Sequence, residues 1–446
     1  MKKIITYGTF DVMHRGHISL LRRAKALGDY LIVAVTGEEY DKDRGKLNVS
    51  QSLHERIKNV EKTKLADEIV VEEYDGQKLI DIQEYEVDIF AIGSDWRGKF
   101  DYLNEYCQVV YLPRTKGISS TKLRNKTGFI RLGLIGGGRI ANRFVRETKY
   151  VNNVEVVSVW GRNYKKMKTF AKEHEIKYVR QKLSEMFSDI DAVYIATPHD
   201  SHYEFIKECL NANKHVLCEK PITLKAEQTE DLLKIADAKK LILLEAVKTA
   251  FCNGFSKLVS FTKGGVIGEV IQIDASFTKM ILDKDSREFK SEYGGGSHNE
   301  LMTYPLLVAC KLLGYGVKEH KNTRFKNKSE VDVYSNLRLE YESAIANLNV
   351  GIGAKKEGDL IITGTRGYIY VPAPWWLTKE FEIKYENCNK NEKFTYRFKG
   401  DGLRYEIAEF VRCINTGNKS FKLTKEEMVF ISKYIDCSFN NIKIGV

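Results

Sequence analysis

The sequence predicts an α/β chain of three domains: two consecutive Rossmann-like domains, then an α+β domain with an open, mainly antiparallel sheet. Three observations predict it. An apolar strand at the start, Ile4-Ile5-Thr6-Tyr7, runs straight into a glycine turn and a helix. A second apolar strand, Phe129 to Ile135, does the same at Gly136-Gly137-Gly138. Beyond residue 265 apolar and polar residues alternate, the period of half-buried strands. At 446 residues the chain exceeds one ordinary core. Domain boundaries are read at 1–126, 129–247 and 248–446, with Thr127-Gly128 as the first joint.

Composition narrows the class. A hydrophobic fraction of 43% with only six prolines indicates ordered globular protein. No run approaches the roughly 18 apolar residues of a membrane helix, so no membrane insertion is expected. Met1-Lys2-Lys3 leads directly into a strand without an apolar leader, and a cytoplasmic location is expected. Eight cysteines without C-x-x-C spacing read as reduced thiols, not as a disulfide or zinc framework. The net charge is +11, but the first 128 residues are nearly balanced, so the excess lies in the remainder. No array of interleaved aromatic and basic residues stands out. Phosphorylated substrates and cofactors explain the charge without a nucleic-acid partner.

In the first domain the chemistry concentrates in Gly8-Thr9-Phe10-Asp11-Val12-Met13-His14-Arg15-Gly16-His17. Two imidazoles three residues apart, at the start of a helix, can donate to a nucleoside triphosphate as its α-phosphorus is attacked. The turn amides and the helix N-terminus add phosphate donors. Gly117-Ile118-Ser119-Ser120-Thr121-Lys122 reads as a loop entering a helix at 121–126. Its hydroxyl caps and free amides suit a triphosphate tail.

These motifs, with Gly28-Asp29-Tyr30, Asp95-Trp96, Gly98-Lys99-Phe100-Asp101 and Tyr111-Leu112-Pro113-Arg114-Thr115, carry a resemblance. Residues 1 to about 126 resemble the glycerol-3-phosphate cytidylyltransferases of the nucleotidylyltransferase superfamily. The resemblance implies CTP activation in which His14, His17, Lys46, Arg114 and a magnesium ion neutralise the transition state. It implies Thr9, Phe10, Asp11, Gly16, Asp95, Thr115, Ser119, Ser120 and Thr121 as CTP contacts, with Asp11 also at the metal. The acceptor side departs from the pattern. Lys64-Leu65-Ala66-Asp67 stands where relatives carry an Arg-Tyr-Val-Asp stretch, and lysine lacks the bidentate fork. Lys116 replaces a glutamate, and the loop Asp43-Arg44-Gly45-Lys46 differs in length. Lys64 remains the candidate acceptor contact.

The second domain opens with Gly136-Gly137-Gly138-Arg139-Ile140-Ala141, a G-x-G-x-x-A turn between a strand and a helix over Ile140 to Thr148. A second strand, Val154 to Trp160, completes a βαβ unit. Gly136, Gly138, Arg139 and Ile140 are thus candidates for holding a dinucleotide pyrophosphate. The second strand ends in Trp160-Gly161-Arg162-Asn163, with no acid to hold a ribose 2′-hydroxyl. Arg162, near Lys165 and Lys166, can pair with a 2′-phosphate, which favours NADP over NAD. A solvated loop arginine with NAD stays open.

Further on, Asp191 to Pro198 reads as a buried strand and turn, followed by His199, His202 and then His215-Val216-Leu217-Cys218-Glu219-Lys220-Pro221. Residues 129 to 446 resemble the glucose–fructose oxidoreductase/inositol dehydrogenase family. The resemblance implies Thr197, Pro198, His202 and Glu219 at the cofactor, and Lys220 beside the nicotinamide. A partly buried ammonium there can polarise a carbonyl and steady the alkoxide. The family's second motif falls on Gly294 to Pro305. Tyr304 takes the acid/base position, Glu300 stands where Asp is common, and Met302 replaces a small glycine. Glu300 and Tyr304 are i and i+4, so on a helix they share a face. His298 is an additional substrate-contact candidate. Lys248 offers a handle for a substrate phosphate in a segment where Ala250 replaces a common arginine.

Val270 to Phe277 and Ala344 to Val350 read as antiparallel strands of a one-sided sheet. The resemblance implies that this sheet covers the active site and pairs subunits, giving a homo-oligomer, a dimer or tetramer. A helix at about Leu403 to Thr416 is expected to pack back on the core. The two halves make sense as consecutive steps. On this reading a small keto or aldehyde precursor, phosphorylated, is reduced by NAD(P)H, and the polyol phosphate then takes CMP from CTP to give a CDP-polyol, which the resemblance implies serves teichoic-acid-like or capsular polymers in a bacterium. The alternative is another phosphorylated or phosphonate acceptor, with an oxidoreductase-like module that is non-catalytic or acts on the CDP-linked product.

Overall fold

The computed structural model describes residues 1–43, 49, 51–74, 76–113, 129–327, 331–437 and 441–444. They gather into two units, Met1–Phe129 with Tyr150–Asn153, and Ile130–Lys149 with Val154–Val446.

The first unit is built on β1 (Lys3–Gly8), β2 (Tyr30–Thr36), β3 (Glu68–Glu72), β4 (Ile89–Gly93) and β5 (Gln108–Leu112). All pair in parallel, in the order β3-β2-β1-β4-β5. Both faces are covered, which is why these strands are apolar at nearly every position. Ile4, Leu31, Val33, Val35 and Ile89 face Leu21 and Ala24 of α1 (Arg15–Lys25) and Val60. Their neighbours Ile5, Tyr7, Ile32, Ala34 and Phe90 face Ile82 and Leu103. The strand order reverses between β1 and β4, which opens a ligand crevice at their carboxyl ends. The helix predicted at 121–126 lies outside the described residues.

The second unit repeats this logic with β6 (Ile130–Ile135), β7 (Val154–Trp160), β8 (Tyr178–Val179), β9 (Ala192–Ile195), β10 (His215–Glu219) and β11 (Leu243–Ala246). Their order is β11-β10-β9-β6-β7-β8, again all parallel, with the reversal between β6 and β9. The helix Arg139–Thr148 buries Ala141, Phe144, Val145 and Thr148, one helical face, against the sheet. Phe144 stacks on Tyr194 of β9 at 3.5 Å between ring centroids.

A nine-stranded sheet completes the unit, in the order β19-β18-β17-β16-β12-β15-β14-β13-β20. It comprises β12 (Val270–Thr278), β13 (Glu319–Lys326), β14 (Asp332–Glu340), β15 (Ile345–Gly351), β16 (Leu360–Gly364), β17 (Tyr368–Val371), β18 (Glu380–Lys384), β19 (Glu392–Thr395) and β20 (Asn441–Ile444). It is mainly antiparallel, as expected, but β12 pairs with β15 in parallel, and so does β13 with β20. The sequence read β12 and β15 as antiparallel strands. Alternation reports which face a residue takes and carries no information on strand direction. The helix Leu403–Thr416 packs back through Arg404, whose Nε and terminal nitrogen fork onto the buried Glu147 at 2.8 and 2.7 Å. A further helix, Lys425–Ile435, was not foreseen; a Thr424–Glu427 capping box starts it. Among the described residues no helix is long and apolar enough to cross a membrane. All eight cysteines are free thiols.

Candidate active sites of the two units

At the carboxyl end of β1 the chain makes an abrupt turn. Phe10 and Val12 sit at φ +50° and +42°, a conformation that costs a non-glycine residue about a kcal/mol or more and clusters at functional sites. Phe10 is buried and packs edge-on against His17 at 5.6 Å. His14 caps α1: its Nδ1 accepts from the amides of Gly16 at 3.0 Å and His17 at 3.4 Å. With Nδ1 accepting, the ring's single proton is on Nε2, which makes His14 a neutral donor. Burial lowers the His14 pKa and favours that neutral form. The His14 and His17 rings stack at 3.8 Å, tilted by 18°.

The loop is tied down from below by Arg56, which is fully buried. One of its terminal nitrogens donates to the carbonyls of Thr9 (2.8 Å) and Thr36 (2.7 Å), and its Nε to Gln51 (3.2 Å). The Thr9 hydroxyl donates to Asp41 at 3.0 Å. Asp11 is buried and accepts from the Gln51 amide at 2.9 Å. Asp95 stands in the turn Ser94–Trp96 directly after β4, the strand beside β1. Thr9, Phe10, Asp11, His14, Gly16 and His17 thus follow the carboxyl end of β1, and Asp95 follows that of the adjacent β4. Lys64 is not brought there within the unit. It lies exposed in a left-handed turn before β3, at the amino ends of the strands. Lys46, Arg114, Thr115, Ser119, Ser120 and Thr121 lie outside the described residues. Arg56 escaped sequence reading because an arginine among polar helix residues looks solvated; the apolar partner at i+4, Val60, was the available signal.

In the second unit β6 ends at Gly136, φ +99°, where a Cβ would come within 2.5 Å of the Ala196 carbonyl. A Cβ on Gly138 would meet open space. Gly138 caps the helix Arg139–Thr148 with no side chain on the free amides. This open cradle of unmasked amides fits a dinucleotide pyrophosphate. Ile140 lies in the first turn behind it, and Arg139 pairs with the buried Glu288. Arg162 follows β7 and is exposed, with no carboxylate at that strand end. His202 is fully buried and bridges two loops, its ring nitrogens 3.0 Å from the Thr197 carbonyl and 2.8 Å from that of Pro221. The Ser201 hydroxyl meets the Thr197 hydroxyl at 2.9 Å and the Pro198 carbonyl at 2.7 Å.

Lys220, just past β10, meets the start of the helical pair Ser297–Leu301 and Thr303–Leu313. Its ammonium donates to the Glu300 carbonyl at 2.7 Å and lies 3.5 Å from that residue's carboxylate. His199 Nε2 (3.6 Å) and Arg287 (3.5 Å) face the other carboxylate oxygen. Burial alone would raise the Glu300 pKa, but these neighbours outweigh it and hold the carboxyl at about 2. Burial lowers His199 to about 3, so near pH 7 the compensating cations are Lys220 and Arg287. Tyr304 is buried, 5.0 Å from the Phe277 ring, and its hydroxyl makes no hydrogen bond among the described residues. Burial, then the charges of Glu219, Glu406 and Glu300, push its phenol well above its ordinary value. It therefore stays protonated, as a proton donor must.

Glu219 ends β10 and accepts from the Tyr194 hydroxyl at 2.5 Å. Lys248 donates to the Asp401 carbonyl at 3.2 Å. His298 is fully buried, with its ring nitrogens 3.0 Å from the Ser335 hydroxyl and 2.9 Å from the Tyr434 carbonyl, both within the protein. Met302 is buried too. Sequence reading did not assign a role to His199, Arg287 or the buried Glu406, because none belongs to a spaced motif; folding alone brings the first two to Glu300.

Comparison with known proteins accords with both geometries. The cytidylyltransferase-like family model matches residues 5–126. The oxidoreductase family, NAD-binding Rossmann fold (GFO/IDH/MocA), matches 130–247, and the GFO/IDH/MocA C-terminal domain matches 255–370. A glycerol-3-phosphate cytidylyltransferase from Bacillus spizizenii is 49% identical over 124 residues, covering 28% of this chain and 95% of that protein. A trans-1,2-dihydrobenzene-1,2-diol dehydrogenase from Sus scrofa is 27% identical over 303 residues, covering 65% of this chain and 90% of that protein. The crystal structure of KijD10, a 3-ketoreductase from Actinomadura kijaniata, covers 71% of this chain and 98% of its own, with a TM-score of 0.65. At 23% identity it speaks to the fold. The chain is a member of both families, a cytidylyltransferase-like domain homologous to the glycerol-3-phosphate cytidylyltransferases fused to GFO/IDH/MocA oxidoreductase domains.

Proposed function

We propose that the first unit transfers CMP from CTP to a small, glycerol phosphate-like polyol phosphate, and that the second reduces the carbonyl precursor of that polyol with NADPH, so that one chain makes a CDP-polyol. The observation that carries this reading is the presence, in one chain, of the stacked His14–His17 pair and the Lys220–Glu300–Tyr304 grouping. The likeness of nearly the whole length of a glycerol-3-phosphate cytidylyltransferase to residues 1–126 supports the acceptor class.

In cytidylyl transfer an acceptor phosphate oxygen attacks the α-phosphorus of CTP, and the bond to pyrophosphate breaks. The attacking group is already anionic, so no strong base is needed. His14 gives its Nε2–H to the phosphate oxygens, and His17 acts beside it. Lys46 and Arg114 neutralise charge developing on the leaving pyrophosphate. Asp11 would hold a magnesium ion brought in with the nucleotide, which would supply further charge neutralisation at the phosphates. Thr9, Phe10, Gly16, Asp95, Thr115, Ser119, Ser120 and Thr121 line the nucleotide.

In the reductive half Gly136, Gly138, Arg139, Ile140, Thr197, Pro198 and Glu219 hold the dinucleotide, His202 braces the Thr197 and Pro221 loops behind it, and Arg162 takes the 2′-phosphate of NADP. The bound cofactor supplies the hydride. Lys220 donates to the substrate carbonyl oxygen, and Tyr304 gives the proton to the forming alkoxide. Glu300 orients Lys220 through both its carboxylate and its backbone. The outer face of the nine-stranded sheet pairs subunits in a cytoplasmic homo-oligomer. Mass spectrometry of products from the full chain with CTP, magnesium, NADPH and a panel of ketose and aldose phosphates tests the reading. It expects a CDP-polyol only when all components are present. A CDP-linked product without NADPH consumption on every substrate would overturn the reductive half.

A further inference from the structure

The consecutive residues Arg287 and Glu288 reach two different parts of the reductive centre. They open the single 3-10 turn Arg287–Phe289, in which successive side chains point about 120° apart. Arg287 stands 3.5 Å from the Glu300 carboxylate, which also takes Lys220. Glu288 turns instead onto Arg139 at the glycine turn. The Glu288 side chain is 6% exposed and that of Arg139 75%, so a buried carboxylate takes its counter-charge from a guanidinium that otherwise stands in the open. A single terminal nitrogen of Arg139 meets Glu288 Oε1. Glu288 Oε2 is buried and has no hydrogen-bond partner among the described residues. The turn is also built into the segment that carries Glu300. The Gly296 amide donates to the Glu288 carbonyl at 2.9 Å, and the Gly295 amide to the Lys290 carbonyl at 3.1 Å. A Cβ on Gly295 would come within 2.6 Å of the Glu288 carbonyl and 2.9 Å of that of Arg287. The helix Ser297–Leu301, with Glu300, starts immediately beyond. Direct contacts therefore run from the glycine turn through Arg139, Glu288 and the Arg287–Phe289 turn to Glu300 and Lys220.

We propose that the Arg139–Glu288 pair is a clasp through which a bound dinucleotide tightens the Arg287–Phe289 turn, and so sets Arg287 and Glu300 before the carbonyl substrate arrives. The proposal rests on the reductase reading above and adds an order of events to it, cofactor first and carbonyl second. Arg139 is the first residue of the helix whose open N-terminus fits a pyrophosphate. A guanidinium has five N–H donors, so Arg139 can hold the pyrophosphate and Glu288 together. Held between two anions, it loses the freedom of an exposed side chain, and the buried carboxylate is fixed with it. Glu288 touches neither cofactor nor substrate; it is a positioning residue that acts through Arg139 on one side and the turn on the other.

Hydrogen exchange of the full chain, read by mass spectrometry with and without saturating NADP, tests the clasp and needs no known carbonyl substrate. In the parent, NADP should slow exchange in peptides covering residues 136–140. It should also slow exchange in those covering 287–296, by about tenfold or more, the scale of coupling between linked sites. In Glu288→Ala the first protection should stay and the second should vanish. Arg139→Met cuts the other end of the clasp at an exposed side chain. At saturating NADP it should do the same, and it decides the question if Glu288→Ala does not fold. Glu288→Gln keeps an acceptor for Arg139 and should retain part of the second protection. Full protection of 287–296 in Arg139→Met overturns the clasp, as does its absence in a parent that is protected at 136–140. A merely structural ion pair would lower the urea midpoint of the variants and leave the NADP-induced difference at 287–296 in place. If neither NADP nor NAD protects 136–140, the cofactor reading itself fails and the clasp falls with it.

Discussion

Removing one oxygen atom separates chemistry from packing in the reductive centre. In Tyr304→Phe the ring keeps its place 5.0 Å from Phe277, in a position that is only 8% exposed. The lost hydroxyl has no hydrogen-bond partner among the described residues, so no protein group is left unsatisfied. The expected change in stability is therefore within about 1 kcal/mol, compared with about 1–3 kcal/mol when a buried partner is orphaned. The proposed proton transfer, by contrast, contributes roughly 10²- to 10⁴-fold, or about 3–5 kcal/mol of barrier. NADPH oxidation on the best carbonyl substrate should fall by that factor, while the urea unfolding midpoint, the NADPH affinity and the CTP-dependent activity stay near the parent's. Parent-like reduction would remove Tyr304 from the chemistry. A large loss of stability would mean that its hydroxyl is paired in solution.

His17→Ala should lower cytidylyl turnover by orders of magnitude with a modest loss of CTP binding, since its donor matters most in the transition state; near-normal turnover refutes the role. Protonating His14 at Nδ1 removes the acceptor for two amides, so kcat/KM for CTP should be level above about pH 6.5 and fall below it, through the lowered His14 pKa. A midpoint above 6.5 contradicts that geometry. Arg162→Ala should weaken NADP binding selectively, and calorimetry showing NAD bound equally well by the parent would dismiss the preference. His298 is neutral in the fold with a pKa held at about 3, chiefly by burial and then by Arg324. Its contribution is complete above its unfolded pKa near 6.5 and is lost as pH falls toward 3, at about 1.4 kcal/mol per pH unit. Urea unfolding of His298→Gln between pH 4 and 6 should show a slope shallower by about that amount, and an identical slope would exclude it.

Much of the framework was legible because its signals are local. The strand at Phe129 to Ile135, the glycine turn and the helix from about Ile140 recur in the structure to within a residue, since each boundary is set by neighbouring residues. The alternation at Val270 to Phe277 located β12 and its buried face. It could not reveal that β15 lies parallel to it, because pairing partners are chosen across some 70 residues. The same divide holds at the sites. Lys220, Glu300 and Tyr304 sit in spaced motifs and were read together. Arg287 and His199 gain meaning only from the carboxylate they approach. His298 was read as a candidate substrate contact because a histidine in a glycine-rich stretch looks loop-like. Its partners Ser335 and Tyr434 lie far along the chain and draw it inward.

Lys220 is held by one residue at two points, the Glu300 carbonyl and the Glu300 carboxylate, and Tyr304 stands one helical turn further along the same segment. The cation and the phenol therefore share a single mechanical reference. Any shift of β10 that keeps both contacts carries the ammonium along with the segment that bears Glu300 and Tyr304. Walls contributed by other elements can then be remodelled by mutation without detuning the pair. A fold built this way can exchange one carbonyl substrate for another by altering only the pocket's lining.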